Sequence, residues 1–506
     1  MAMELWQSIP FASILLPLAS AAMTSVMKPR LARRFTMTVL CIVTLLSLTV
    51  TFYFWRGAEA YTYMMGHFPA PWGNEIRAGR LEALTALFFS LIMLLSLTGG
   101  LKKIDEHIDS NKVNLYYVVL LLMTAALMAQ VYTNDIFTAY VFLEIMTLAA
   151  CALIAVRKRG RTLVAAARYM IMNLIGSGLF LLGIILLYDL TGHLLMSNMK
   201  EAVAKIVAEG QYQQPLNVVV ALMTIGLCIK SALFPFHTWV PDAYGYSTPT
   251  SAAVLSSLVS KGYIFLLIKI MYRVIGLDVI AATSISDVLF VFSLIGMVMG
   301  SISAIRQHDI RKMIAMSSVA QIGYIYMGMS MGTEAGMVAA LFHLFSHAVC
   351  KSMLFLAAGG LADASGNSKL FRDLRGAGYR SPIAGLAFTV GALSMVGFPF
   401  LGGFVAKLNF ALAGMERGGI RTILVLAVLT ISTSLNTVYF LRTVITLYRK
   451  PLEGADYPAE KGRRGVCFNV ALVLLALQNI LLGLFSQTVI NMITDGLRTF
   501  GNALNI

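Results

Sequence analysis

Apolar runs long enough to cross a lipid bilayer recur along almost the whole of this 506-residue chain, and that recurrence leaves few folds open. An α-helical span needs about 20 predominantly apolar residues. In hydrocarbon every backbone amide and carbonyl must be satisfied within the protein, so only helices and closed barrels cross. Barrel strands would alternate over segments of about 10 residues, whereas the runs here are longer and continuous. The expected fold class is an all-α polytopic membrane protein. A window of about 19 residues marks about 14 transmembrane helices. They fall at 8–27, 35–55, 81–101, 113–132, 136–156, 163–190, 217–240, 251–275, 281–304, 310–331, 336–362, 382–412, 421–447 and 466–490. Only 12% of the residues are charged, against about 25% in soluble domains.

The net charge of +15 would suit nucleic acid, but its placement does not. Basic residues sit in alternate short loops: 28–34, 102–112, 157–161, 306–312, 369–375 and 448–464. The intervening loops, such as 133–135, are nearly free of Lys and Arg. This is the positive-inside pattern. It predicts a multi-pass protein of a prokaryotic plasma (inner) membrane with both termini outside, and no nucleic-acid partner. A signal peptide is not expected at the N-terminus, because Glu4 precedes the first apolar run and Lys28, Arg30, Arg33 and Arg34 follow it. The longest outside loops are 56–80 and 191–216, the second with a short surface helix. Neither is large enough for a cofactor module, and the five cysteines are single and scattered. No cofactor and no metal centre are expected.

Against this apolar background four charges stand out. Glu144, Lys230, Lys261 and Lys407 each lie inside an expected span. A charge at the bilayer centre costs roughly 2.5–3.5 kcal/mol, so four uncompensated ones would cost on the order of 10 kcal/mol. Such residues are expected to face a protein-lined interior. His343, His347 and Lys351 recur at i, i+4 and i+8 and share one helix face. They suit a hydrogen-bonded relay or a set of satisfied structural side chains; as a zinc site HLFSH lacks the glutamate of HExxH. Two spans carry helix breakers in their interiors. Pro235 and Pro241 follow Lys230, and Gly397, Pro399, Gly402 and Gly403 precede Lys407. Paired interruptions in two halves are the pattern of an inverted-repeat transporter with discontinuous helices. The expected organisation is three N-terminal helices (1–112), two inverted five-helix repeats (113–275 and 281–447) and a C-terminal helix (448–506). His237, beside the first break, either bridges to the relay or caps freed carbonyls. Asp373 and Arg375 read as a solvated loop pair.

The run GLCIKSALFPFHTWVPDAYGYSTPTSAAVLSSLVSKGYIF (226–265) resembles the signature of proton-conducting, antiporter-like membrane subunits. These occur in respiratory complex I (NADH:quinone oxidoreductase), Mrp-type cation/proton antiporters and membrane-bound hydrogenases. DIRKMIAMSSVAQIGY (309–324), FHLFSHAVCKSMLFLAAG (342–359), FRDLRGAG (371–378) and GFPFLGGFVAKL (397–408) extend the resemblance across roughly 110–450. It implies fourteen helices and a proton path along the membrane midplane. It also implies that Glu144 and Lys230 form the pair on helices five and seven, that Lys261 is the central lysine of helix eight, and that Lys407 is the ionisable residue of helix twelve. Tyr244 stands where the family commonly has a histidine. General electrostatics supports a switchable pair: a buried amine holds its proton more tightly near a carboxylate than away from one. The other reading of Glu144 and Lys230 is a static buried ion pair.

The function expected is proton translocation, with or without coupled Na+ exchange, by one membrane subunit of a multisubunit complex. The chain ends soon after its last span, which points away from the longest family members and toward an Mrp D-type or hydrogenase-associated subunit. A complex I subunit is the alternative. A lipid or sugar enzyme would need polar clusters near one interface and usually a large loop. A transport-inactive structural subunit would have no reason to keep the buried charges. As a transport subunit with no redox centre of its own, its expected partners are other membrane subunits, the lipid bilayer and protons, with or without Na+.

Overall fold

The computed structural model describes residues 2–68, 73–157, 160–451 and 465–501. The basic residues expected at 158–159 and 461–464 lie outside the described residues. Twelve helices among the described residues are long and apolar enough to cross a membrane. They are α1 (Ala2–Ser25), α2 (Pro29–Trp55), α3 (Arg80–His107), α4 (Val113–Tyr132), α5 (Ile136–Ala155), α6 (Gly160–Thr191), α7 (Gln213–Ser231), α8 (Pro249–Ile275), α9 (Ile285–Ile305), α11 (Glu334–Asp363), α14 (Gly419–Tyr448) and α15 (Val466–Leu484). The other two expected spans are also present. α10 (Ile310–Ser330) is buried at every residue but Lys312; its hydroxyl and amide side chains lower its hydropathy because it faces protein. The twelfth span is broken into α12 (Pro382–Val396) and α13 (Gly402–Arg417).

Short loops are set by side-chain caps that satisfy the first amides of each helix. Asp135 accepts from Thr138 N at 2.6 Å to start α5, Asp309 from Arg311 N at 2.8 Å to start α10, and Thr248 from Ser251 N at 3.0 Å to start α8. The basic loops collect on one face, where a cavity of about 340 Å³ is lined in part by Lys103, Arg157, Arg311 and Lys369. On the opposite face, Tyr61 reaches Trp6 O near the N-terminus, and Arg498 near the C-terminus pairs with Glu334 at 3.2 Å. The alternation read from charge therefore corresponds to two distinct faces.

Lipid-shielded and lipid-facing helices differ sharply. The apolar windows of α8 and α11 are 100% buried inside the protein, whereas those of α14 and α15 are 33% and 28% buried. Lys261, His343, His347 and Lys351 are carried by the two shielded helices.

The sequence reading needs two corrections. The loop 56–80 contains a hairpin, with β1 (Tyr61–Met64) antiparallel to β2 (Glu75–Ala78) and Tyr61 opposite Ala78. Its β2 strand is wholly buried: it packs against α1 and α4 and meets the end of α16 (Ser486–Phe500). The expected last span, 466–490, ends instead at Leu484. After Phe485 the chain turns into α16, an amphipathic helix that buries Ile493, Gly496, Leu497 and Phe500. Arg77 fastens its end by donating to Thr499 O at 2.5 Å and Phe500 O at 3.2 Å. The helix expected in 191–216 is present as Met196–Ala208.

Candidate functional site: a row of buried amines

Lys230 is the last residue but one of α7, and after Ser231 the C-cap Ala232 takes the left-handed conformation (φ 66°, ψ 36°). That geometry costs a residue with a Cβ about 1–2 kcal/mol, and it stops the helix one residue after the lysine. The chain runs without regular helix until Val240–Tyr246. Lys230 is fully buried, with its Nζ 3.4 Å from Glu144 Oε1 and 2.8 Å from Thr147 Oγ1. Thr147 in turn lies 3.0 Å from the hydroxyl of Tyr263, whose ring the ammonium faces at 5.3 Å. Ser177 of α6 donates to Glu144. Glu144 remains 23% exposed on its outer side, so the pair is dry at the amine and open at the carboxylate. Close helix approach makes this possible: a Cβ on Gly176 would stand 2.7 Å from Gly226 O and 3.1 Å from Lys230 Cγ.

Lys261 follows a π-turn, Leu255–Val259. Widening a helix by one residue per turn leaves carbonyls poorly paired, and such turns recur at functional sites. Lys261 Nζ takes up that slack, donating to Ser256 O at 2.6 Å and to Ser260 Oγ at 3.2 Å. Lys351 on α11 donates across to α10, to Ile314 O at 3.0 Å and to Ser317 Oγ. His347 and His343 continue the line, with rings stacked at 11° and centroids 5.7 Å apart. Both nitrogens of each ring are buried and have no hydrogen-bond partner among the described residues. His343 lies 5.7 Å from the ring of Tyr324, and the ammonium of Lys407 faces the same tyrosine at 5.8 Å. Lys407, on α13 beyond the second break, donates to Val396 O at 2.8 Å, one of the carbonyls freed where α12 ends.

The structure thus brings Glu144, Lys230, Lys261, Lys351, His347, His343 and Lys407 into one interior zone. His237 is placed apart from it. Its ring stacks on Phe234 at 5.2 Å and touches the backbone of Pro235 inside the first break. Among the described residues no contact joins His237 to the lysines. Asp373 pairs with Arg372 at 3.3 Å and accepts from Ser368 at 2.6 Å, and among the described residues no ion pair joins it to Arg375.

Sequence reasoning missed several interior polar groups. Lys269 is fully buried and donates to Gln130 O, Val131 O and Thr133 O at 2.8, 2.6 and 3.0 Å. It caps the C-terminal carbonyls of α4, a structural task; its place in the same apolar run as Lys261 was the available signal. Near it Glu82 sits 3.1 Å from Arg77 and 3.7 Å from Arg273, a buried ionic cluster closing the non-basic end of α3 and α8. Thr147, Ser177, Tyr263 and Gln321 gave no signal, because hydroxyl and amide residues are common in helices of every kind.

Fold and site together define a polytopic membrane subunit whose lipid-shielded interior carries a row of amines and imidazoles. The chain belongs to the NADH:quinone oxidoreductase/Mrp antiporter transmembrane family, whose model matches residues 133–433. It is 35% identical over 452 residues to the N subunit of the NADH-quinone oxidoreductase of Desulforudis audaxviator, covering 86% of both chains. It is 27% identical to the D-type component of the Na(+)/H(+) antiporter of Bacillus subtilis, over 94% of each. Among solved structures, a chain of the archaeal membrane-bound sulfane sulfur reductase superposes with a TM-score of 0.86 at 27% identity, covering 98% of both. A chain of the Mrp complex from Dietzia sp. shares the fold, with a TM-score of 0.85 at 23% identity.

Proposed function

We propose that this chain moves protons along its interior row as one subunit of a multisubunit complex in a prokaryotic plasma membrane. Glu144, Lys230, Lys261, Lys351, His347, His343 and Lys407 act as the carriers, and the repeats 113–275 and 281–447 form the two halves of the path. One observation carries the reading. Lys261, Lys351 and Lys407 are buried on or beside lipid-shielded helices and are held by carbonyl and hydroxyl oxygens. An amine without a fixed counter-ion makes a poor structural lock, since a buried charge is costly unless paired, and a good stopping point for a mobile proton. The relatives support membership of a larger assembly, because their names designate subunits of an oxidoreductase and of an antiporter. They fall on both sides of the division between quinone-linked and Na+-linked complexes, and the co-purifying subunits decide between them.

The test is proton flux in vesicles carrying the assembled complex. Lys261→Met keeps the length of the side chain and removes the amine. It lowers flux more than tenfold; flux near wild type in an assembled Lys261→Met complex would rule the reading out.

The same proposal places the basic face in the cytoplasm. Asn134, in the opposite loop, is buried and would report poorly, but Tyr212 is 58% exposed. Cysteines at positions 160 and 308 label from the cytoplasmic side and one at 212 from outside. Labelling of all three from one side contradicts the orientation.

A further inference from the structure

Gln321 is an unspent amide in the middle of the row. It is fully buried on α10, and neither its Oε1 nor its Nε2 has a hydrogen-bond partner among the described residues. Its location follows from the antiparallel register of α10 and α11. Lys351 reaches Ile314 and Ser317 at one level, and the rings of Tyr324 and His343 meet 5.7 Å apart at another. As the α10 number rises from 317 to 324 the α11 number falls from 351 to 343, so Gln321 stands opposite His347. Two neutral polar groups therefore face each other in the protein interior and neither bonds to the other. Buried amide and imidazole atoms in folded proteins are hydrogen-bonded, to protein or to ordered water. A polar site offering two to four partners suits a water molecule.

We infer that Gln321 is a positioning residue: it orients the water that links Lys351 to His347, and so sets the first step inside the second half of the proton path. This rests on the proton-carrier reading above. In the step, the Lys351 ammonium gives an N–H proton to the water oxygen. The water gives one of its own protons to a nitrogen of His347. One O–H bond forms and another breaks, the water is regenerated, and the positive charge passes from amine to imidazole. Gln321 stays neutral throughout. Its Oε1 accepts the water's other O–H, which turns a lone pair toward the lysine and the transferred proton toward the ring. An amide suits this task because it offers fixed donors and a fixed acceptor and does not itself titrate.

The experiment uses the assembled complex in vesicles, with flux read by a pH-sensitive dye in H2O and in D2O. Gln321→Leu removes the amide at similar volume. The expected result is a flux at least fivefold below wild type and a larger solvent isotope effect, because the disordered water step now limits the rate. Gln321→Asn keeps the amide and retains at least a third of wild-type flux. A purely packing role would leave the isotope effect unchanged, and that outcome, or flux within twofold of wild type for Gln321→Leu, overturns the inference. Lys261→Met is run beside it. If that variant loses flux while Gln321→Leu does not, only this inference fails; if neither does, the carrier reading fails with it. Should Gln321→Leu not assemble, a water-resolving structure of the wild-type complex decides. An ordered water bonded to both Gln321 and His347 supports the inference, and none between them overturns it.

Discussion

Replacing Glu144 by Gln stops proton movement while the complex still assembles. Gln has nearly the volume of Glu, and its amide oxygen still accepts from Ser177. What disappears is the negative charge 3.4 Å from the Lys230 ammonium. Two unit charges at that separation attract by about 5 kcal/mol at an effective dielectric of about 20. The partly open carboxylate reduces this, and a loss of even a third of it changes an equilibrium by more than tenfold. The expected flux is therefore more than tenfold below wild type, and Lys230→Met gives the same loss. A static ion pair makes a different forecast. Breaking one partner of a buried pair destabilises a protein, whereas neutralising both often restores stability. The double variant Glu144→Gln/Lys230→Met therefore recovers thermal stability in both cases, but it recovers flux only if the pair is a lock. Near-normal flux in Glu144→Gln, or flux that returns in the double variant, ends the carrier role of this pair.

Lys407→Arg blocks transport as completely as Lys407→Ala, although Arg keeps the positive charge. Lys407 is 8% exposed and donates to Val396 O at 2.8 Å. That carbonyl is free because Gly397 turns left-handed at φ 96° and ends α12. The site is a charge-stabilising pocket made by a helix break, and its grip on an ammonium depends on the carbonyl and on local water. Guanidinium fits a carbonyl pocket at least as well but does not release a proton in proteins. A carrier must release it. Flux in the Arg variant is expected more than tenfold below wild type, with Lys407→Glu retaining a measurable part. The break also constrains the lysine sterically, since a Cβ on Gly397 would lie 3.1 Å from Lys407 Cδ. If Lys407→Arg transports like wild type, the residue serves only as a fixed charge.

The span pattern was legible because it is local. A helix crossing hydrocarbon must be about 20 apolar residues long whatever surrounds it. The expected span 136–156 accordingly appears as Ile136–Ala155, and 310–331 as Ile310–Ser330. The lysines were legible for the same reason: a charge in an apolar run carries an energetic cost that demands an explanation before any neighbour is known. Their partners were not legible. Thr147 meets Lys230 across 83 residues of chain, and a threonine in a helix has no cost that would mark it. Gln321 became notable only when the register of α10 against α11 put it opposite His347.

Local pattern failed where tertiary packing overrode it. The span read as 466–490 ends at Leu484, where the polar Ser486, Gln487 and Thr488 follow, and α16 has its own buried stripe, from Ile493 to Phe500, fastened at its end by Arg77. Likewise β2 forms in a stretch with no long apolar run, where β1 pairs with it and α1 and α4 pack against it. Sequence alone determined that this chain crosses a membrane many times, which loops share a face, and which amines cannot face lipid. Only the tertiary structure decided which oxygen atoms hold each amine, because those contacts join helices far apart in the chain, where nothing in either partner's local sequence fixes the other.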